Sequence, residues 1–552
     1  MHNRTLFFAV AALGSASFVS SFTGCSSSSS SNNNNNNNNT QDSGTASDTG
    51  TTVDTGTGGD DSSTPTEAGG DGGLCSTGVA PSGTPILSSS NASVQGVIGN
   101  TTVLFLDDQA HTLNSVPIAG GTPTTVLSYD NSGLFISGNV ALWSQAPVAA
   151  SASAPSYGPW LTSVGGAAGK TLAPQAYLGT VGGGYLDVSS DSSLILYVTT
   201  TATAPTVANI VVSAPDGTGA VTLVPNVTYT SSSNGTLCAP NARFVGNSVI
   251  AAYCTGTPTT QLEATIAQFP VTGGSPTQTF TTAGFFGFSI DNPKTPTQIA
   301  YVTANGEYVQ ALTPVNSTPK LIDKDGVGGA FFTPDGATLI YQQFVPSDAG
   351  TGSIGYYRST IASPSPQKIV DGDYNPLYLS PDGNWLVTYQ NVSSNGETTD
   401  LQLLSTAAGS TAQTLCPTTT GAIFGDAFTV DDTQALFFCN VGSGVGDFDA
   451  VKLMAGATVT TVAKASVWDE AALSAAKVSY NNNWTQPASN KVFGYADIQA
   501  QDLSTTAAAT TIVSHADANY YLTADRTKLI YSFSACPSSG TPGIYVISAP
   551  NP

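Results

Sequence analysis

Leu379–Tyr389 reads LSPDGNWLVTY: a Ser-Pro-Asp-Gly turn between an apolar residue and a run of Trp385, Leu386, Val387 and Tyr389. The Asp382 side chain can accept backbone N–H bonds within the turn, and Gly383 can adopt positive φ. The segment is therefore a strand, a tight turn and a second strand ending in an aromatic. Phe332–Tyr341 (FTPDGATLIY), Phe428–Phe438 (FTVDDTQALFF), Leu522–Tyr531 (LTADRTKLIY), Val188–Tyr197 (VSSDSSLILY) and Phe288–Tyr301 (FSIDNPKTPTQIAY) fit the same template. Leu339 with Tyr341, and Leu386 with Tyr389, supply large side chains for packing between neighbouring sheets.

Spacing turns these hairpins into a repeat. The turn aspartates Asp291, Asp335, Asp382 and Asp431 are 44, 47 and 49 residues apart. Asp431 to Asp525 is 94, twice 47, and Asp191 to Asp291 is 100, twice 50. A divergent copy is thus expected near Val478–Tyr495, another around Phe244–Asn247, and earlier ones at Val97–Leu106 and Leu134–Trp143. Third and fourth strands follow, as at Leu113–Ile118 with Thr124–Leu127, or Leu401–Leu404 with Ala412–Leu415. Four antiparallel strands in about 40–50 residues is the spacing of a β-propeller.

The count gives ten units, and a ring of seven to ten blades is compatible with it; a series of β-sandwiches is the competing architecture. The last unit has only three strands before the chain ends, so closure needs a strand from Thr84–Leu87. One stretch breaks the β pattern: Trp468–Val478 (WDEAALSAAKV) is Ala-rich with acids at its start and is expected to form a short helix.

Ser380-Pro381-Asp382-Gly383, and nearly so Thr333-Pro334-Asp335-Gly336, resemble the PD40-type repeats of the TolB-like β-propeller family. The resemblance covers the chain from about Thr84 onward. It implies an all-β propeller of four-stranded antiparallel blades, and marks a fold rather than an activity.

The N-terminal residues carry a different message. His2 and Arg4 precede the apolar stretch Leu6–Val19, too short for a permanent transmembrane helix, which needs about 20 apolar residues; this is an export signal. Phe22-Thr23-Gly24-Cys25 resembles the bacterial lipoprotein processing box, although Phe22 stands where Leu is usual. The resemblance implies cleavage before Cys25 and lipidation of its thiol. Homopolymeric Ser26–Ser31 and Asn32–Asn39, then a Thr/Ser/Gly/Asp tract, lack any apolar periodicity and read as a disordered tether. The chain thus divides into a signal peptide (1–24), a lipidated tether (25–82) and a propeller domain (83–552). The expected location is the bacterial cell envelope, at the outer membrane or cell surface, without a transmembrane segment in the mature chain.

Six further cysteines form an even set in an exported chain. Cys254 and Cys439 close the second strand of their units, while Cys238 and Cys416 precede the first strands of the same units. Position within the repeat therefore predicts Cys238–Cys254 and Cys416–Cys439, leaving Cys75–Cys536 to pin the ends of the ring together.

Composition limits the chemistry. Thirty-six acids against 14 bases give a net charge of −22, which opposes nucleic-acid binding through phosphate neutralisation. His111 and His515 are the only histidines after the signal, and neither a G-x-S-x-G elbow, an H-E-x-x-H helix nor a phosphate loop is present. Adjacent acids occur at Asp107-Asp108, Asp431-Asp432 and Asp469-Glu470, and the repeated aspartates are explained by one structural role in every turn. Asp323, Asp325 and Gly326 form an acidic turn that could take calcium, although the D-x-[DN]-x-[DN]-G pattern is absent; no other cofactor is expected. Two functions follow: a binding or scaffold module for a protein or glycan partner, or a glycoside-active surface enzyme using paired carboxylates in the central funnel.

Overall fold

The computed structural model describes residues 81–550 apart from short connections, the longest being 145–155, 391–399 and 486–494. Among the described residues there are strands and turns and no helix. Each repeat forms a four-stranded antiparallel meander. The first is Ala92–Ile98, Thr102–Asp107, Thr112–Pro117 and Thr124–Ser128. Nine more follow. The second and third sheets also join where Thr199, near the end of the third sheet's second strand, pairs with Ala176 on the last strand of the second. In the fourth and fifth, the long strand Gln278–Ile290 serves both, pairing with Ala264–Pro270 through its first half and with Gln298–Thr303 through its second.

The tenth sheet closes the molecule. Tyr520–Leu522, Lys528–Phe533 and Gly543–Ser548 are completed by Thr84–Ser88 from the other end of the described chain. In this pairing Thr84 lies opposite Val546 and Ser88 opposite Gly543. The expected strand closure is present.

Among the described residues, ten hydrophobic cores connect the sheets, each made by two successive sheets facing one another. Leu104, Leu113 and Trp143 join the first to the second, and Leu436, Phe438, Phe448 and Tyr480 the eighth to the ninth. Ile530 and Ile544 of the tenth meet Val94, Val103 and Phe105 of the first, completing the cycle. Each fully buried Leu or Phe contributes about 1.5–3 kcal/mol, so every sheet depends on both neighbours. The first strands of successive sheets approach one another, as Tyr185–Val188 does Asn241–Val245 and Ala422–Phe428 does Glu470–Ser474; they therefore line the inside of the ring. Ten four-stranded blades arranged in this way define a β-propeller.

The expected helix is not there. Glu470–Ser474 and Lys477–Thr485 are the first hairpin of the ninth sheet, directly paired from Glu470↔Tyr480 to Ser474↔Lys477. Ala472, Leu473, Ala476 and Val478 are buried, Val478 in the core shared with the eighth sheet. Inter-sheet packing overrides the helix propensity of alanine, whose small side chain suits the crowded inner strand. The divergent ninth copy also begins earlier than the expected Val478–Tyr495.

Candidate functional site

The repeated aspartates occupy one local design. In Thr333–Gly336 the Gly336 N–H donates to the Thr333 carbonyl, and Thr333 N–H donates to Thr338 beyond the turn. Asp335 Oδ1 accepts from Thr333 Oγ1 at 2.6 Å and from Ala337 N–H at 3.0 Å. Asp191, Asp382, Asp431 and Asp525 repeat both contacts with Ser189, Ser380, Thr429 and Thr523. Asp291 differs, accepting from Asn292, Thr297 and Gln298 N–H across a longer turn. The Ser or Thr two residues before the aspartate is a part of the turn that the hairpin template did not use. S/T-x-D is visible in all six copies, and five of them make the bond, whereas Ser289 donates to the Ala330 carbonyl instead.

These bonds favour the ionised acid. The Ser193 N–H first, then the Ser189 and Ser193 hydroxyls, hold Asp191 down to about 2; Thr333 does most of the same at Asp335 and Thr523 at Asp525. At Asp382 and Asp431 burial opposes the shift and the hydrogen bonds outweigh it. The residue after the aspartate has positive φ, 66° at Gly336 and 75° at Gly383, which explains the Asp-Gly pair.

Turns also bind their neighbours around the ring. Asp382 N–H donates to Asp432 Oδ2 in the next blade at 2.6 Å. Asp431 N–H donates to the Ala475 carbonyl at 3.2 Å, and Asp525 N–H to Asn100 Oδ1 of the first blade at 3.0 Å. Burial first, then the nearby Asp382 carboxylate, pushes Asp432 up to about 6.

The two faces of the ring differ. The face bearing these turns has short first-to-second-strand connections, from two residues (138–139) to seven (291–297), with four of five residues at 333–337, 380–384, 429–433 and 523–527. On the opposite face, second-to-third-strand connections range from two residues (304–305) to eleven (145–155). That face also carries the extra hairpin Thr230–Ser232 with Gly235–Cys238, between the third and fourth blades. Variable loops on a rigid scaffold are where binding residues concentrate, so this is the candidate functional face.

A disulfide braces it. Cys416, ending the seventh blade's last strand, is bonded to Cys439 on the eighth blade's second strand, with Cα atoms 5.7 Å apart. Cys254 is also disulfide-bonded and pairs by backbone with Thr228 of the preceding blade. The side chain of Cys238, both Cys75 and Cys536, and Cys25 lie outside the described residues, as do Asp108 and Asp469.

Two acidic arrangements stand apart from the turns. On the inner strands, Asp187 accepts from Val188 and Phe244 N–H at 2.9 and 2.8 Å and faces Arg243 Nη1 at 3.9 Å. Burial raises its pKa, and Arg243 works against that. The second lies between the fifth and sixth blades, beside the variable face. Glu307 is 1% exposed and Asp323 6%; Tyr341 donates its hydroxyl to Asp323 Oδ2 at 2.9 Å. Burial first, then the Asp323 charge, pushes Glu307 up to about 8. The coupled carboxylates therefore sit on the third and fourth strands, away from the central funnel where paired acids were expected. Asp325, of the expected acidic turn, points outward to Lys324 at 2.6 Å. Among the described residues no three His, Cys, Asp or Glu side chains converge. His111 and His515 both have positive φ, 50° and 56°, and His515 N–H donates to Asp497.

No family model matches this chain, and no curated protein does. Solved structures resemble it in part. A structure of the eukaryotic initiation factor is 11% identical, with 68% of this chain and 90% of that one covered, at a TM-score of 0.44. The β-propeller domain of the Trilobed protease from Pyrococcus furiosus is 11% identical over 53% of this chain and 91% of that one, at 0.29. Oligogalacturonate lyase in complex with manganese is 11% identical over 65% and 96%, at 0.32. The class rests on this chain's own sheets and their closure: a β-propeller of ten blades.

Proposed function

We propose that this propeller is a binding or scaffold module of the bacterial cell envelope, held by a lipid on Cys25 and presenting its variable face to a protein or glycan. The observation that carries this reading is the polarity of the closing strand. Thr84 pairs near Val546, which is opposite Ile530 and close to the 523–527 turn, whereas Ser88 pairs with Gly543 at the other end. The chain therefore enters the ring from the face of the short Asp turns. A tether ahead of Thr84 leaves from that side, and the variable connections point away from the anchor. The repeated turn aspartates are engaged in capping their own turns, and the coupled pair Glu307–Asp323 is buried off the funnel, which disfavours the glycoside-active alternative.

Metabolic labelling with radioactive palmitate tests the anchor: the label should enter the wild-type chain and be lost in Cys25→Ser. The Cys25→Ser chain, screened against purified envelope polysaccharides and proteins, should retain a ligand that is lost when 145–155 and 391–399 are replaced by short Gly-Ser links. Labelling that persists in Cys25→Ser removes the anchor; a ligand indifferent to both replacements removes the role of this face.

A further inference from the structure

Glu307 and Asp323 are direct cross-strand partners in Gly306–Ala311 and Lys320–Asp323. Side chains so placed have Cβ atoms about 4.5–5.5 Å apart, and like charges there repel. Both acids face the sixth blade. Val309, two residues from Glu307, belongs to the core between the fifth and sixth blades, and Asp323 receives the Tyr341 hydroxyl. From the sixth blade, Leu339 and Tyr341 point into that same core, so strand alternation puts Gln343 on the same face. Gln343 lies opposite Gly326, whose backbone is against Glu307: a Cβ on Gly326 would come within 2.6 Å of Glu307 Cβ.

The position is rich in acceptors and poor in donors. Glu307 Oε2 and Gln343 Oε1 are both buried without a hydrogen-bond partner. Glu307 receives the Gly328 N–H, and Asp323 receives Asp325 N–H and the Tyr341 hydroxyl. The nearby cation of the chain, Lys324, is 76% exposed and engaged with Asp325. An unpartnered carboxylate oxygen in the interior is costly. What would satisfy two carboxylates and an amide oxygen together is a positive centre that accepts several oxygens at flexible geometry.

We propose that Glu307, Asp323 and Gln343, with Tyr341 beside them, bind a calcium ion between the fifth and sixth blades. These ligands are all oxygens, with no His or Cys among them, which suits a hard cation over zinc or copper. The ion neutralises the facing acids and fastens two blades together, as the Cys416–Cys439 disulfide fastens the seventh to the eighth.

The test uses the full chain, stripped with chelator and then titrated with calcium while thermal unfolding is followed. Tyrosine-sensitised terbium luminescence gives a second readout independent of stability. Wild type should show a saturable rise in Tm of a few degrees and a terbium signal that calcium displaces. Glu307→Gln should lose both responses, while its chelated Tm equals or exceeds that of chelated wild type. Should Glu307→Gln fail to fold, Gln343→Leu leaves the acids intact and should weaken calcium binding at least tenfold. Absence of both responses in wild type overturns the proposal in favour of a proton shared by the acids. Responses unchanged in Glu307→Gln or Gln343→Leu overturn it in favour of ions held elsewhere on the acidic surface.

Discussion

Glu307 is fully buried and faces a second acid, so its protonation bears directly on stability. Its pKa is raised from 4.5 to about 8, so between these values the folded chain holds a proton that the unfolded chain has released. Stability therefore falls as pH rises through that window. In chelated protein we expect unfolding free energy to drop from pH 5 to pH 8 by an amount on the order of 3 kcal/mol. Urea unfolding of Glu307→Gln should lack this slope; an equal slope in the variant would place the titrating group elsewhere. Asp191 behaves oppositely: its pKa is lowered from 3.8 to about 2, so its contribution is complete above about pH 4 and is lost as pH falls towards 2. Asp335, Asp382, Asp431 and Asp525 are shifted in the same direction. Ala475 offers a backbone counterpart. It has φ of 33° in the ninth blade's turn, a conformation that a side chain disfavours by about 1 kcal/mol. Ala475→Gly should raise stability by about that much in equilibrium unfolding. In a helix the same change would lower it by a similar amount, so the sign alone distinguishes hairpin from helix.

Among the elements, the hairpins were legible and their partners in space were not. Ser380-Pro381-Asp382-Gly383 announces both its turn and its flanking strands, because Ser, Asp and Gly each satisfy a local backbone requirement. Residues 470–478 misled because their strand character comes from burial beside the eighth blade, where Val478 joins the core of Leu436, Phe438 and Phe448, and no local pattern carries that. Glu307 and Asp323 were equally opaque as a pair: sixteen residues separate them, and their opposition depends on the bulge between Glu307 and Tyr308. Cysteine position within the repeat, by contrast, did identify Cys416 with Cys439. Their bond closes a loop of 23 residues in sequence separation, for which chain entropy gives about 3 kcal/mol. Cys416→Ser with Cys439→Ser should lower unfolding free energy by about that amount, read by urea titration under non-reducing conditions. A loss below about 0.5 kcal/mol would show that the inter-sheet core holds these blades without help.

At the scale of the molecule, each blade lends one surface to each neighbour, so the ring has no dispensable member. Removing Thr84–Ser88 exposes the edge of Gly543–Ser548 and opens the core formed by Ile86, Ile530 and Ile544 with the first blade. A chain beginning at residue 90 should therefore unfold at markedly lower temperature and associate through its open edge. Size-exclusion chromatography and thermal unfolding would register both effects. A monomer of unaltered Tm would mean that the remaining cores suffice to keep the ring shut.

Because Thr84–Ser88 is synthesised before anything it pairs with, it must wait for nearly the whole polypeptide to emerge. Val94 N–H receives its acceptor, Ser532 Oγ, from 438 residues away. During that interval both the early strand and each newly made sheet offer unsatisfied backbone to other molecules. Such delayed, long-range pairing makes maturation slow and vulnerable to misassembly. The same seam that leaves the finished ring without a free end thus makes its birth the moment at which the cell's folding helpers are most needed.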